Sequence, residues 1–271
     1  MPDITYPSGS QAALPGYLAV PGSTGPWPGV VVIQDVLGLT ADLKRIVDRF
    51  AANGYLALAP ALYRQGFRPK CVISTIWSHF SGTGPAYDNL VAAHTYLATD
   101  PRCTGKVGVA GFCMGAGFVL QMAPRGLFDA AAPNYGLMPK DIASLENSCP
   151  VVASFGAKDR IVAQGTAAQL EAVLTDADIP HDVKEYPDVA HSFMNDWDTP
   201  GPIRIVERIA GMQYSAPEAD DAWRRILAFY DYHLATGTHA AEQVLSNCTP
   251  SVEKPDHPPL AAPGKEPNTE H

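Results

Sequence analysis

Positive charge is scarce in this chain. It has 19 lysines and arginines against 28 aspartates and glutamates, a formal net charge of −9 at pH 7. Nucleic-acid binding needs a basic surface, so no nucleic-acid partner is expected. An anionic small substrate is not excluded, since one local arginine suffices to hold it. Long apolar runs are also missing. None approaches the roughly 20 residues of a membrane span, so no membrane partner is expected. The first residues, Met1-Pro2-Asp3-Ile4-Thr5-Tyr6, carry neither a basic stretch nor an apolar one, and no signal peptide is expected there. Cysteines number five (Cys71, Cys103, Cys113, Cys149, Cys248), an odd count without a C-x-x-C pair. A disulfide framework or structural zinc is therefore not expected, and a reducing cytoplasm is the natural compartment. H-E-x-x-H and similar metal-ligand spacings do not occur, so no metal is expected.

What remains is globular in character: 46% apolar and 17% charged residues over 271 positions, enough for one large domain. Strand-like and helix-like runs alternate. Pro15–Val20 and Gly29–Gln34 read as the first two strands, joined by a Gly- and Pro-rich turn. Thr40 is placed to cap a helix running to about Asn53, with Leu43, Ile46, Val47 and Phe50 on one face. Tyr55–Ala59 reads as a strand and Ala86–Thr99 as a helix. Ala130–Tyr135 and Val151–Gly156 are further strands, Ala163–Asp176 a helix, His181–Tyr186 the last strand, and Asp220–Leu234 a closing helix. The alternation predicts an α/β fold: a mostly parallel sheet with helices on both faces. One domain is expected over 1–245. Thr249–His271 holds six prolines and almost no large apolar side chain, so 246–271 is expected to be a disordered or loosely attached tail.

Lys106–Gly117 reads KVGVAGFCMGAG: an apolar strand, a Gly-x-Cys-x-Gly turn, then a helix. This is the pattern of the nucleophile elbow of an α/β-hydrolase, with cysteine where serine is usual. The turn is tight, so residues flanking the nucleophile need almost no side chain, and Gly111 and Gly115 meet that need. Cys113 then stands at a strand's end over a helix N-terminus, where free N–H groups favour a thiolate and a developing oxyanion. The other four cysteines lack this setting and read as small buried or incidental thiols.

A free thiol titrates near pH 8.5 and is mostly protonated at neutrality, so it needs a base. The α/β-hydrolase order is nucleophile, acid, histidine, each after a strand. Asp159 follows the strand at 151–156, and His191 follows the strand at 181–186. Taken singly, Asp159 reads equally as a turn residue and His191 as a surface histidine. In this order, they read as the carboxylate that orients an imidazole and the imidazole that takes the thiol proton. The oxyanion hole is expected at the backbone N–H groups of Met114 and Val36. Phe112, Tyr135, Phe193, Tyr63 and Trp77 are candidates to line an apolar acyl pocket, with core packing the commoner role for aromatics.

Four segments together carry a family likeness: Val32–Gly38 (VIQDVLG), Gly54–Tyr63 (GYLALAPALY), Gly108–Ala116 (GVAGFCMGA) and Ala190–Phe193 (AHSF). Tyr135-Gly136 fits as well. On these segments the chain resembles the dienelactone hydrolase (carboxymethylenebutenolidase-like) family over roughly residues 14–235. The resemblance implies a Cys-Asp-His triad and hydrolysis of a small lactone or carboxylic ester without a cofactor. It also implies an acidic residue beside the resting cysteine, here Asp35, where the family's usual residue is glutamate. The family anchors a substrate carboxylate with arginines, one of them four residues after the histidine. That position is Asn195 here, which leaves Arg64 and Arg68 as candidate anchors. A neutral ester and a dienelactone therefore both remain open as substrates, as do a thioesterase or peptidase activity and a non-catalytic ligand-binding or thiol redox-sensing role. A monomer or homodimer is expected.

Overall fold

The computed structural model describes residues 4–8, 11–63, 75, 78, 81–197 and 212–234. The expected tail at 246–271, and Arg64, Arg68 and Trp77, lie outside the described residues.

Among the described residues, eight strands form one sheet: β1 (Ile4–Ser8), β2 (Gln11–Ala19), β3 (Trp27–Ile33), β4 (Leu56–Pro60), β5 (Cys103–Phe112), β6 (Ala130–Asn134), β7 (Val151–Gly156) and β8 (His181–Tyr186). Their spatial order is β1-β2-β4-β3-β5-β6-β7-β8. β2 runs antiparallel to both β1 and β4, and the remaining neighbours are parallel. Five α-helices among the described residues accompany the sheet: α1 (Ala41–Ala52), α2 (Pro85–Ala98), α3 (Met114–Met122), α4 (Thr166–Asp176) and α5 (Ala216–Leu234). This is the expected mostly parallel α/β architecture.

Strand alternation sorts the apolar side chains into two cores. Val31 and Ile33 of β3, with Leu56 and Leu58 of β4, face α2, α3 and α4. Val30 and Val32, with Ala57 and Ala59, face α1 and α5. Helix α1 follows its sequence signals closely. The Thr40 hydroxyl accepts the Leu43 N–H at 3.2 Å, and Leu43, Ile46, Val47 and Phe50 are buried. Each such side chain contributes about 1.5–3 kcal/mol on burial. Phe50 packs edge-on against Trp223 of α5 with ring centroids 5.0 Å apart, which joins the two helices of that face.

The structure adds what the periodicity missed. β1 is short and contains Pro7, which breaks its pattern but is tolerated on a sheet edge. Helix α5 starts at Ala216 rather than Asp220. Its start signal is in the sequence: Ser215 three residues before Glu218, whose side chains hydrogen-bond, with Pro217 in the first turn. Helix α4 starts at Thr166 rather than Ala163, because residues 163–165 form a turn closed by the Thr166 hydroxyl on the Ala163 carbonyl at 2.7 Å.

Candidate active site

Strand β5 lies mid-sheet, and chain order reverses between it and β3, the switch point where open α/β sheets keep their sites. The C-terminal ends of β3, β5, β7 and β8 face the same side and carry Asp35, Cys113, Asp159 and His191.

Cys113 sits between β5 and α3 with φ 55° and ψ −117°. That strained conformation costs on the order of 1–3 kcal/mol and persists only if the surroundings enforce it. Glycine supplies the room. A Cβ on Gly111 would lie 2.4 Å from the Gly115 carbonyl, and one on Gly115 would lie 2.4 Å from the Ile33 oxygen and 2.7 Å from the Gln34 oxygen. The start of α3 is thus pressed onto the exit of β3, which brings the Gln34–Val36 turn beside Cys113. Met114 opens the first turn of α3, so its N–H has no intrahelical acceptor. The Val36 carbonyl accepts the Tyr63 hydroxyl at 2.9 Å, which pins the same turn.

Asp159 and His191 meet as expected. His191 Nδ1 lies 2.7 Å from Asp159 Oδ2, with both side chains buried. Asp159 Oδ1 accepts the N–H groups of Ile161 at 2.7 Å and Val162 at 3.0 Å. Gly156 lets the two loops approach, since a Cβ there would lie 2.6 Å from the Val189 carbonyl. Burial works against ionised Asp159, but the His191 bond and charge and the two N–H donors outweigh it and hold the carboxyl below its usual range. Burial likewise opposes a charged His191. The Asp159 hydrogen bond and the nearby Cys113 sulfur outweigh it and raise the imidazole to about 9. His191 Nε2 is buried and makes no hydrogen bond among the described residues. The sulfur is thus near enough to act on the ring without being docked on it by a bond of ordinary length.

Asp35 is buried, and donors from its own turn and from Trp197 meet its carboxylate. Oδ1 accepts the Leu37 N–H at 2.7 Å, and Oδ2 accepts the Trp197 indole N–H at 3.1 Å. Desolvation raises its pKa to about 6, against the pull of these bonds and with a further push from Asp42. Burial raises Tyr63 to about 12, and the charges of Asp35 and Cys113 add to that, so all three groups share one neighbourhood.

The remaining expected residues divide. Phe112 and Phe193 are fully buried aromatics. Phe112 packs near Tyr135 and Trp223, while Phe193 packs between Tyr135 and Tyr186. Tyr135 lies edge-on to the His191 ring at 5.3 Å and donates its hydroxyl to Asn195 Oδ1 at 2.7 Å. Asn195 Nδ2 in turn donates to Asp42 Oδ2 at 2.8 Å. The structure thus places Asn195 in a buried bridge from α1 to the tyrosine beside the imidazole. Asp42 and Trp197 escaped sequence reasoning. Asp42 looks like an ordinary first-turn helix acid, and its partner is 153 residues away. Trp197, six residues past His191, had only its nearness in sequence to mark it. A cavity of about 740 Å³ opens alongside, lined in part by Gln121, Leu137, Met138 and Val162. The triad residues do not line it, although Val162 directly contacts Asp159. Among the described residues no cluster of histidine, cysteine, aspartate and glutamate suits a metal ion, and no helix is long and apolar enough to cross a membrane.

Known proteins agree with this architecture. The model of the dienelactone hydrolase family matches residues 14–234. Protein usf of Aquifex pyrophilus is 30% identical over 229 residues, covering 81% of this chain and 93% of its own. A Synechocystis relative whose name refers to carboxymethylenebutenolidase is 26% identical over 250 residues, covering 85% of this chain and 96% of its own. Among solved structures, the dienelactone hydrolase-like promiscuous phosphotriesterase P91 from metagenomic libraries shares the fold. It has a TM-score of 0.72 at 24% identity and covers 86% of this chain and 97% of its own. The chain belongs to the dienelactone hydrolase family, a carboxylic ester hydrolase built on the α/β-hydrolase fold.

Proposed function

We propose that this chain hydrolyses a small lactone or carboxylic ester through a Cys113–His191–Asp159 triad and an acyl-enzyme. The observation that carries the reading is the buried 2.7 Å contact of His191 Nδ1 with Asp159, which leaves Nε2 unpaired near the strained elbow cysteine. Asp159 fixes the tautomer with its proton on Nδ1, so Nε2 is the basic nitrogen. The Cys113 proton passes to Nε2 as the sulfur attacks the substrate carbonyl. The N–H groups of Val36 and Met114 receive the oxyanion. The C–O bond then breaks, the leaving oxygen takes the proton from Nε2, and a thioester remains on Cys113. Water, deprotonated by His191, cleaves the thioester and restores the thiol.

Asp35 tunes the resting thiol. Its side chain is one methylene shorter than the glutamate of the resembled family, and Gly115 draws the turn that carries it against the elbow. The carboxylates Asp35, Asp42 and Asp159 all lie close to the reacting groups, which favours an uncharged acyl portion. Tyr63, Tyr135 and Phe193 surround the reacting groups with apolar surface, Phe112 backs them, and Arg64 remains a candidate anchor. We read residues 1–245 as one domain, because one sheet carries every proposed catalytic group, and place the protein as a cytoplasmic monomer or homodimer.

A panel of lactones and aryl esters tests this. The wild type is expected to turn over at least one member, with Cys113→Ala lowering kcat/KM by about 10³-fold or more. Equal turnover by the two proteins rules the assignment out.

A further inference from the structure

We propose that Trp197 is a positioning residue for this reaction: its indole N–H clamps the Asp35 carboxylate, fixing that group beside the elbow and holding the His191 loop against the β3 exit. The inference rests on the reading of Asp35 given above. A carboxylate buried to 4% exposure needs donors to stay ionised. Among the described residues no lysine or arginine pairs with Asp35. The groups that face it are of the wrong kind to help. Asp42 on α1 repels it. Tyr63 beyond β4 donates its hydroxyl to the Val36 carbonyl instead, and Tyr135 beyond β6 donates to Asn195. Cys113 is itself a group to be deprotonated. The only side-chain donor to Asp35 among the described residues is the Trp197 indole, at 3.1 Å. The other donors are the backbone N–H groups of Leu37 and Gly38, which side-chain substitution does not remove.

The clamp also has a mechanical side. Trp197 lies on the stretch that begins at His191, turns at Ser192 with φ 62°, and is bridged to α1 by Asn195 and Asp42. The indole bond is a second tie across the same gap, from the imidazole's loop to the carboxylate's loop. One residue therefore serves both the charge of Asp35 and the distance between the loops that carry the acidic group and the base.

The test separates these effects. Trp197→Phe keeps the aromatic bulk and removes the N–H, and Trp197→His restores a ring donor. Asp35 is followed by carboxyl-carbon NMR in the full chain, its signal identified by loss in Asp35→Asn. In the wild type burial is expected to put the carboxyl midpoint at about 6. In Trp197→Phe the midpoint is expected above about 7, since a bond to the charged form is gone, with Trp197→His in between. The ratio of wild-type to Trp197→Phe kcat/KM, in which the shared titration of His191 cancels, should be about tenfold at pH 6 and fall toward one by pH 8.5. An Asp35 midpoint unmoved in both variants overturns the clamp, and so does an activity loss of equal size at every pH, the mark of a merely structural role. If no form hydrolyses any ester, the functional reading falls, while the carboxyl titration still decides whether Trp197 holds Asp35.

Discussion

His191→Ala is expected to lower ester turnover by about 10²–10⁴-fold, the usual contribution of a positioned acid–base group. The loss should fall on kcat, because the side chain is buried and reaches substrate only through its one unpaired nitrogen. The same substitution strands Asp159, whose Oδ2 loses its partner while Oδ1 keeps the Ile161 and Val162 N–H groups. Removing one member of a buried pair costs about 3–5 kcal/mol, and the retained donors place this case at the lower end. The penalty should depend on pH with a definite sign. His191 has its native pKa raised from 6.5 to about 9. Its stabilisation is therefore complete below about 6.5 and fades as pH rises through 9. Asp159 is held below 3.8, so its share appears above that value and fades on acidification. These are two faces of one interaction, so the stability gap between wild type and His191→Ala should be widest between about pH 4 and 6.5. Urea unfolding across pH 4–9.5 measures it. A gap that grows toward alkaline pH contradicts the pairing.

Gly115→Ala is the second large effect. The new methyl would stand 2.4 Å from the Ile33 carbonyl oxygen and 2.9 Å from its carbon. Neither is the end of a flexible side chain, so helix α3 and strand β3 must part. The strain costs about 1–3 kcal/mol in stability. The effect on turnover should be larger, about 10²-fold, because the parting displaces Met114 from Val36, and a shift of about 1 Å in a reacting constellation has that cost. Gly54→Ala is the comparison: Gly54 has open space for a methyl, and although its φ of 88° strains any side chain, it lies at the far end of α1 from the elbow. It should lose stability without a specific loss of kcat. If both variants keep full activity once folded, the contact between the elbow and the β3 exit is not what builds the oxyanion hole.

The alternation of strand and helix runs carried the mostly parallel sheet, while the order of its strands comes from the structure. The elbow was legible because Gly-x-Cys-x-Gly is dictated by close backbone approach, and the structure supplies the contacts that dictate it at Gly111 and Gly115. The meeting of Asp159 and His191 was legible from their places after strands and their order behind the elbow, although 32 residues separate them. What stayed hidden are pairings with no local pattern. Asp42 sits on an amphipathic helix, yet it is buried and bonded to Asn195 across the fold. Trp197 gives no sign in sequence that its indole will meet Asp35, 162 positions away. Asn195 was marked by its spacing from His191, but its bridge from Tyr135 to Asp42 depends on where α1 packs, which periodicity does not specify.

Cys113 as the atom that carries the acyl group is the centre of the account. Intact-protein and peptide mass spectrometry of an acid-quenched mixture with a slowly turned-over aryl ester tests it most directly. The expected result is a transient mass gain equal to the acyl group, confined to the peptide containing Cys113 and absent from Cys113→Ala. Sustained hydrolysis with no acylated Cys113 at any quench time, or acylation on another residue that decays at the rate of turnover, would contradict it.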